Sequence, residues 1–177
     1  MLEIELKRLT ASLKEGTEGL LNQQIRMESE SSAIYLAMAS WCDVMGYRES
    51  AAYLYEQAEE ERGHMLKIFH YLNDAGGRAL QPEVTNIQQH FTSLHEIFEL
   101  ALKQEIKVSH AIHRIVEHCW DNKDVATFNF MQQFVQEQIQ EETTARRALE
   151  LFEVIGEAGV GLYFIDKEIG ALKSDRT

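Results

Sequence analysis

The sequence predicts an all-α protein: a four-helix bundle with a long crossover between its second and third helices and a short fifth helix at the C-terminal end. Three observations carry this prediction. Glu, Gln, Ala and Leu, which lose little rotamer freedom in a helix, are abundant in a chain with a single proline, Pro82. Apolar residues recur at spacings of three and four through four long stretches. The one long aperiodic segment holds both Gly76-Gly77 and Pro82.

The first helix is predicted over 18–44, where Leu21, Ile25, Glu28, Ser32, Tyr35, Ala39 and Cys42 share a stripe and Gly46 supplies the stop. A second runs over 48–75, striped by Ala51, Leu54, Ala58, Glu61, Met65, Ile68 and Leu72, with Gly76-Gly77 as its stop. The turn between them is short, so they are antiparallel neighbours. From Gly76 to Phe91 the periodicity vanishes over a length sufficient to cross a bundle.

A third helix follows over 93–120, with Ser93 as N-cap, Glu96 completing a capping box, and a stripe of Phe98, Leu102, Glu105, Ser109, Ile112 and Val116. After a break at Asp121-Asn122 comes a fourth over 124–155, striped by Met131, Phe134, Gln138, Glu141, Ala145, Leu149 and Phe152. Gly156, Gly159 and Gly161 close it, and 162–172 forms the short fifth helix. Residues 1–17 are set apart from the principal domain over 18–177. There Leu2, Leu6, Leu9 and Leu13 recur at helical spacing until Gly16 interrupts, as in an amphipathic extension that docks on the bundle or on a neighbouring subunit.

The 177 residues suit one domain with a sizeable core, and 45% hydrophobic content is ordinary for a globular protein. A formal charge of −12, from 29 acidic against 17 basic residues, argues against nucleic-acid binding and favours attraction of cations. There is no apolar run long enough to span a bilayer and no signal-peptide layout, so a cytoplasmic protein without a membrane partner is expected. Cys42 and Cys119 lack C-x-x-C spacing, which excludes a zinc knuckle or an iron–sulfur module. Both are expected to be reduced, small core residues.

The chemistry lies in what interrupts the stripes. Glu28, Glu61, Glu105 and Glu141 each stand where a helix demands a hydrophobe, with His64 one turn from Glu61 and Gln138 one turn from Glu141. Four inward carboxylates cost several kcal/mol unless compensated, and a pair of divalent metal ions would compensate them. An oxygen-rich set with one or two nitrogens suits iron or manganese. Di-iron bundles take a Glu from each of two helices and Glu-x-x-His from each of the other two. Here the second such motif reads Gln138-x-x-Glu141. One Glu-x-x-His is common by chance, but concurrence in four helices is not. His110 and His113 share a face at i, i+3 and, lacking a third ligand, read as surface residues.

Several stretches are distinctive: Glu28-Ser29-Glu30-Ser31-Ser32-Ala33-Ile34-Tyr35, Ser40-Trp41-Cys42, Glu59-Glu60-Glu61-Arg62-Gly63-His64, Thr127-Phe128-Asn129-Phe130, Glu137-Gln138-Ile139-Gln140-Glu141-Glu142 and Gly161-Leu162-Tyr163-Phe164-Ile165-Asp166-Lys167-Glu168. Through them the chain resembles a prokaryotic non-haem ferritin from about residue 18 to residue 172, and the expected fold is the ferritin-like four-helix bundle.

The resemblance implies a ferroxidase centre in which Glu28, Glu61 and His64 hold one iron, Glu105 and Glu141 hold the other, and Glu61 bridges them. Gln138 would sit beside the second iron. Tyr35 would stand near the centre as donor of a hydrogen bond or an electron, unless it is simply a core tyrosine with a satisfied hydroxyl. Some bacterial members carry a third, outer iron site. Glu60 and Glu137 match two of its ligands, while Gln140 stands where a glutamate is expected. Gln133 occupies a position where bacterial relatives often carry tryptophan. Arg62 follows Glu61 where bacterioferritins place their haem-ligating methionine, and Glu141 replaces their second histidine, so no haem is expected.

The function so implied is iron storage and detoxification: Fe(II) is oxidised to Fe(III) with O2 or H2O2, and ferric mineral collects in a hollow homo-oligomer of 24 subunits. Two other readings stay open. One is a soluble di-iron oxidase or peroxidase acting on an organic substrate, although such enzymes usually keep both Glu-x-x-His motifs. The other is an interaction bundle whose inward glutamates are assigned one residue off their true face.

Overall fold

The structure is a computed structural model that describes residues 13–172. Five helices occur among them: α1 (Thr17–Met45), α2 (Arg48–Asp74), α3 (Leu94–Asn122), α4 (Val125–Ile155) and α5 (Gly161–Ala171). There is no strand among the described residues, and no helix there is long and apolar enough to cross a membrane. Leu2, Leu6 and Leu9 of the expected N-terminal extension lie outside the described residues.

α1 and α2 form one antiparallel hairpin and α3 and α4 another, with α1 against α3 joining them and α5 packed on α2 and α4. The α1–α2 turn is tight because Gly46 adopts φ 89°. From there the N–H groups of Gly46 and Tyr47 return to the carbonyls of Asp43 and Cys42. The crossover runs beside α1. Near the start of that helix the Asn22 amide donates to the Arg78 carbonyl (2.9 Å) and accepts from the Leu80 N–H (2.8 Å). Farther along, Phe91 is buried edge-on to Trp41 at 6.2 Å. Asn22 and Trp41 are about 28 Å apart along a helix axis, so the crossover carries the chain along the bundle.

Both ends of α3 are made differently from the sequence expectation. α3 continues past Trp120 to Asn122, because the turn is made by Lys123 in the left-handed region (φ 58°). At the start of α3, Ser93 Oγ accepts from the Glu96 N–H at 3.0 Å as expected. The Glu96 carboxylate, however, reaches Thr92, taking both its N–H and its hydroxyl at 2.6 Å, so the reciprocal half of the box is shifted one residue outward.

Two buried aspartates fix the ends of the bundle. Tyr47, the N-cap of α2, offers no capping side chain. The α5 residue Asp166 does so instead, accepting from Ser50 N–H (2.8 Å), Ser50 Oγ (2.7 Å) and Glu49 N–H (3.3 Å). Asp124 caps α4 through the Thr127 N–H (3.1 Å) and also accepts from Thr17 Oγ1 (3.0 Å) and the Lys14 N–H (3.3 Å). Just before α1, Leu13 packs against the second apolar cluster described below. It also lies so close to Gly77 that a side chain at that position would meet Leu72 and Leu13.

The core is split. One apolar cluster gathers Met38, Leu54, Phe98, Phe152 and Ile165, and the other gathers Ile25, Ile68, Ile112, Met131 and Phe134. Between these sets, in sequence order along each helix, fall the inward glutamates. Cys42 and Cys119 are buried and unpaired.

Burial alone would raise the Asp124 carboxyl, but the hydrogen bonds from Thr127, Lys14 and Thr17 outweigh it and hold its pKa below the usual value. A depressed folded-state pKa adds stability that is complete above the usual Asp range and is lost as pH falls through the folded value. Asp124→Ala should therefore destabilise the protein by about 1–2 kcal/mol near neutral pH. The gap to the parent should close below about pH 4, as calorimetry across pH would show.

Candidate metal centre

Each bundle helix brings one carboxylate to the layer between the apolar clusters. α1 supplies Glu28, α2 supplies Glu61 with His64 one turn later, α3 supplies Glu105, and α4 supplies Glu141 with Gln138 one turn earlier. The four carboxylates are between 0% and 6% exposed, so none of the glutamates is a rim residue. The reading in which they lie one residue off the inner face falls with that observation.

Glu28, Glu61 and His64 converge, offering one ligand atom each with all three atoms within 4.8 Å of one another. His64 Nδ1 lies 3.4 Å from Glu61 Oε2, and its Nε2 faces Glu137 Oε2 at 3.5 Å. Gln24 donates to Glu28 Oε1 at 2.7 Å. Glu28 Oε2 and Glu61 Oε2 are enclosed and have no hydrogen-bond partner.

The other carboxylates are held by side chains from neighbouring helices. Glu105 accepts from the Tyr35 hydroxyl on one oxygen and from the Gln138 amide (3.0 Å) on the other. That amide also meets the Glu105 carbonyl (3.2 Å) and Ser109 Oγ (3.3 Å). Glu141 Oε2 accepts from the Gln57 amide at 3.4 Å. From Ser109 a chain of contacts leads outward, through Glu142 (2.7 Å) to Arg146 (2.6 Å).

Electrostatics in this layer disfavour negative charge. Burial raises the Glu28 carboxyl well above its usual value, and the charge of Glu61 raises it further. Burial likewise raises Glu61, with Glu105, Glu141 and Glu60 adding repulsion. Burial and the Glu105 and Glu61 charges push the Tyr35 hydroxyl up, which keeps it a donor. Unpartnered carboxylate oxygens beside an imidazole, in a layer short of positive charge, make a donor set that could hold a divalent cation.

The comparisons with known proteins bear on the same residues. The ferritin-like domain family matches residues 18–155, a span that includes every residue of this layer. The chain belongs to the ferritin family. A probable bacterial non-heme ferritin-like protein of Haemophilus influenzae is 36% identical over 92% of this chain and 98% of its own length. A bacterial non-heme ferritin of Campylobacter jejuni is 38% identical over 85% of this chain and 90% of its own. Among solved structures, an open pore ferritin of the archaeon Archaeoglobus fulgidus superposes with a TM-score of 0.86 at 35% identity, covering 91% of this chain and 98% of that one.

Other expected residues of this ferritin are distributed as follows. Glu137 faces His64 and lies 3.8 Å from Lys67 Nζ, while Glu60 is half-buried and Gln140 exposed. Gln133 is exposed and donates to the Phe130 carbonyl, and His110 and His113 are exposed. Glu142, next to Glu141, is half-buried and engaged by Ser109. Sequence reasoning missed Gln24 and Gln57. For Gln24 the signal was present, since it lies four residues before Glu28 on the same helix, whereas Gln57 carried none, its partner Glu141 lying on another helix.

Removing one repelling charge should stabilise the ferritin when it is stripped of metal. A raised folded-state pKa means that the penalty is greatest above that pKa and is relieved as the folded state takes up protons on acidification. Glu61→Gln should therefore raise the thermal midpoint of chelator-treated protein at about pH 8, by about 1–3 kcal/mol of stability. Its advantage should shrink toward about pH 5. A variant less stable than the parent at the higher pH would show that the protein already compensates the charge without a cation.

Proposed function

We propose that this ferritin stores iron by oxidising Fe(II) to Fe(III) at the buried layer and collecting ferric mineral within a homo-oligomeric shell of 24 subunits. The observation that carries the reading is the convergence of Glu28, Glu61 and His64, with two enclosed carboxylate oxygens lacking partners, beside the further carboxylates of Glu105 and Glu141. Resemblance to bacterial non-heme ferritins supports the storage role. The similarity to a solved ferritin described as open-pored supports a shell.

In this reading Glu28, Glu61 and His64 hold one iron, Glu105 and Glu141 hold the other, and Glu61 serves both. Two adjacent Fe(II) ions supply the electrons that O2 or H2O2 accepts. Hard carboxylate oxygens favour Fe(III) over Fe(II), which assists the oxidation. Tyr35 orients Glu105 and would donate a hydrogen bond or an electron, and Gln138 holds the same carboxylate from the opposite side. Exclusion of water by the flanking apolar clusters strengthens each of these interactions.

Glu60 and Glu137 offer two carboxylates for an outer third iron position, which Gln140 and the nearby Lys67 weaken. The domain over 18–177 is the ferritin unit, with residues 1–17 as an extension to it. Two buried, unpaired cysteines fit a reducing cytoplasm.

Aerobic Fe(II) oxidation followed in the near-ultraviolet tests the centre. Glu61→Ala and His64→Ala should each slow the initial phase by at least about tenfold, and parent-like rates would displace the site. Gel filtration tests the shell, and a monomer or dimer would overturn it.

A further inference from the structure

Carboxamides surround the carboxylate layer in a pattern that the two-ion reading does not account for. Gln24 donates to Glu28 within α1, Gln57 crosses from α2 to Glu141 on α4, and Gln138 crosses from α4 to Glu105 on α3. Three of the four inward glutamates therefore receive a glutamine N–H. Glu61 receives none from any amide of the described residues, and it is the carboxylate shared by both ions in the proposed centre.

Gln24 and Gln57 are almost completely buried. A core position chosen for packing alone would be filled as well by Leu or Met without a polar atom to satisfy. Gln24 retains its amide although its own Oε1 is enclosed and has no partner, while its N–H sits at 2.7 Å from Glu28. The unsatisfied oxygen is tolerated for the sake of the contact to the carboxylate. That contact also divides the labour of the two Glu28 oxygens: Oε1 is engaged by the amide, and Oε2 is left without a hydrogen-bond partner in a residue that converges with Glu61 and His64. Gln57 engages Glu141 Oε2 in the same manner.

We infer that Gln24 and Gln57 are positioning residues which hold Glu28 and Glu141 as single-oxygen ligands, one for each metal ion, and leave Glu61 unclamped to serve both. The inference rests on the two-ion reading of the site. Neither glutamine touches iron. Each acts through the carboxylate that it orients, as outer partners of metal ligands do, and loss of such a partner typically weakens binding 10–100-fold.

The test uses assembled, chelator-stripped protein titrated anaerobically with Co(II), a divalent probe that reports ligand geometry in its visible absorption. Affinity is read by competition with a chelating dye. Glu28→Ala and Glu141→Ala identify the two binding steps. Gln24→Met should weaken the step that Glu28→Ala abolishes, and Gln57→Met the step that Glu141→Ala abolishes, each by about 10–100-fold and with an altered Co(II) spectrum. Should a Met variant fail to assemble, Gln24→Asn and Gln57→Asn, which keep the amide but withdraw it by one methylene, should give the same selective weakening.

Parent-like affinity and spectra in the glutamine variants, or equal weakening of both steps by either one, would overturn the positioning roles. If Glu28→Ala and Glu141→Ala themselves retain two ions, the two-ion reading fails and the inference goes with it. If those variants each lose a step while the glutamine variants keep both, the inference alone fails.

Discussion

Four carboxylates share one dry layer in the middle of this bundle, and their mutual repulsion is the constraint to which the surrounding structure answers. Burial and neighbouring charge both raise Glu28 and Glu61. Folding this arrangement without a cation carries a cost that the rest of the molecule must offset. It does so with an apolar cluster on each side of the layer, and with donors placed along the carboxylates: Tyr35, Gln138, Gln57 and Gln24. The protein is thus held in a shape that would suit a cation, at some loss of stability, which is the usual condition of a preorganised site.

Holding four helices in register is what makes such a layer possible, because a shift of one residue would turn every carboxylate about 100° from the centre. Register is secured away from the chemistry. The Asn22 amide grips the crossover, Asp124 ties the chain before α1 to the start of α4, and Asp166 ties α5 to the start of α2. Within the layer, Ser32 Oγ donates to the Ala58 carbonyl and the Gln104 amide to Ser31, so α1 is joined to both α2 and α3. The candidate site is therefore assembled by side chains outside its own donor set.

Much of this was legible in the sequence. Glu28, Glu61, Glu105 and Glu141 announced themselves because a carboxylate in an apolar register breaks a periodicity that is otherwise well kept. Gly46 and Gly76-Gly77 marked helix ends for the steric reason that glycine tolerates a left-handed backbone. The features that escaped notice share a different character. Lys123 takes the same backbone region without being glycine, so the end of α3 was read two residues early, at the Asp121-Asn122 break. Gln57 is an ordinary helix former, distinguished only by a carboxylate on another helix, and Gln24 by nothing more than its spacing of four from Glu28. Glu96 reaches Thr92 in place of Ser93, a one-residue difference within a motif whose letters are unchanged. Long-range partners such as His64 with Glu137 depend on the packing of two helices and cannot be read from either one alone.

The cap on α2 has a consequence for the order in which the chain comes together. α1 and α2 are neighbours in sequence joined by a tight turn, and so they form a local pairing. Yet the carboxylate that satisfies the first amides of α2 belongs to Asp166, 116 residues beyond Ser50. During synthesis that hairpin emerges first and waits, with its helix end exposed, until almost all of the described chain has followed. The last of the described helices thus seals the hairpin of the first two, and an early folding unit is kept provisional until the bundle around it is complete.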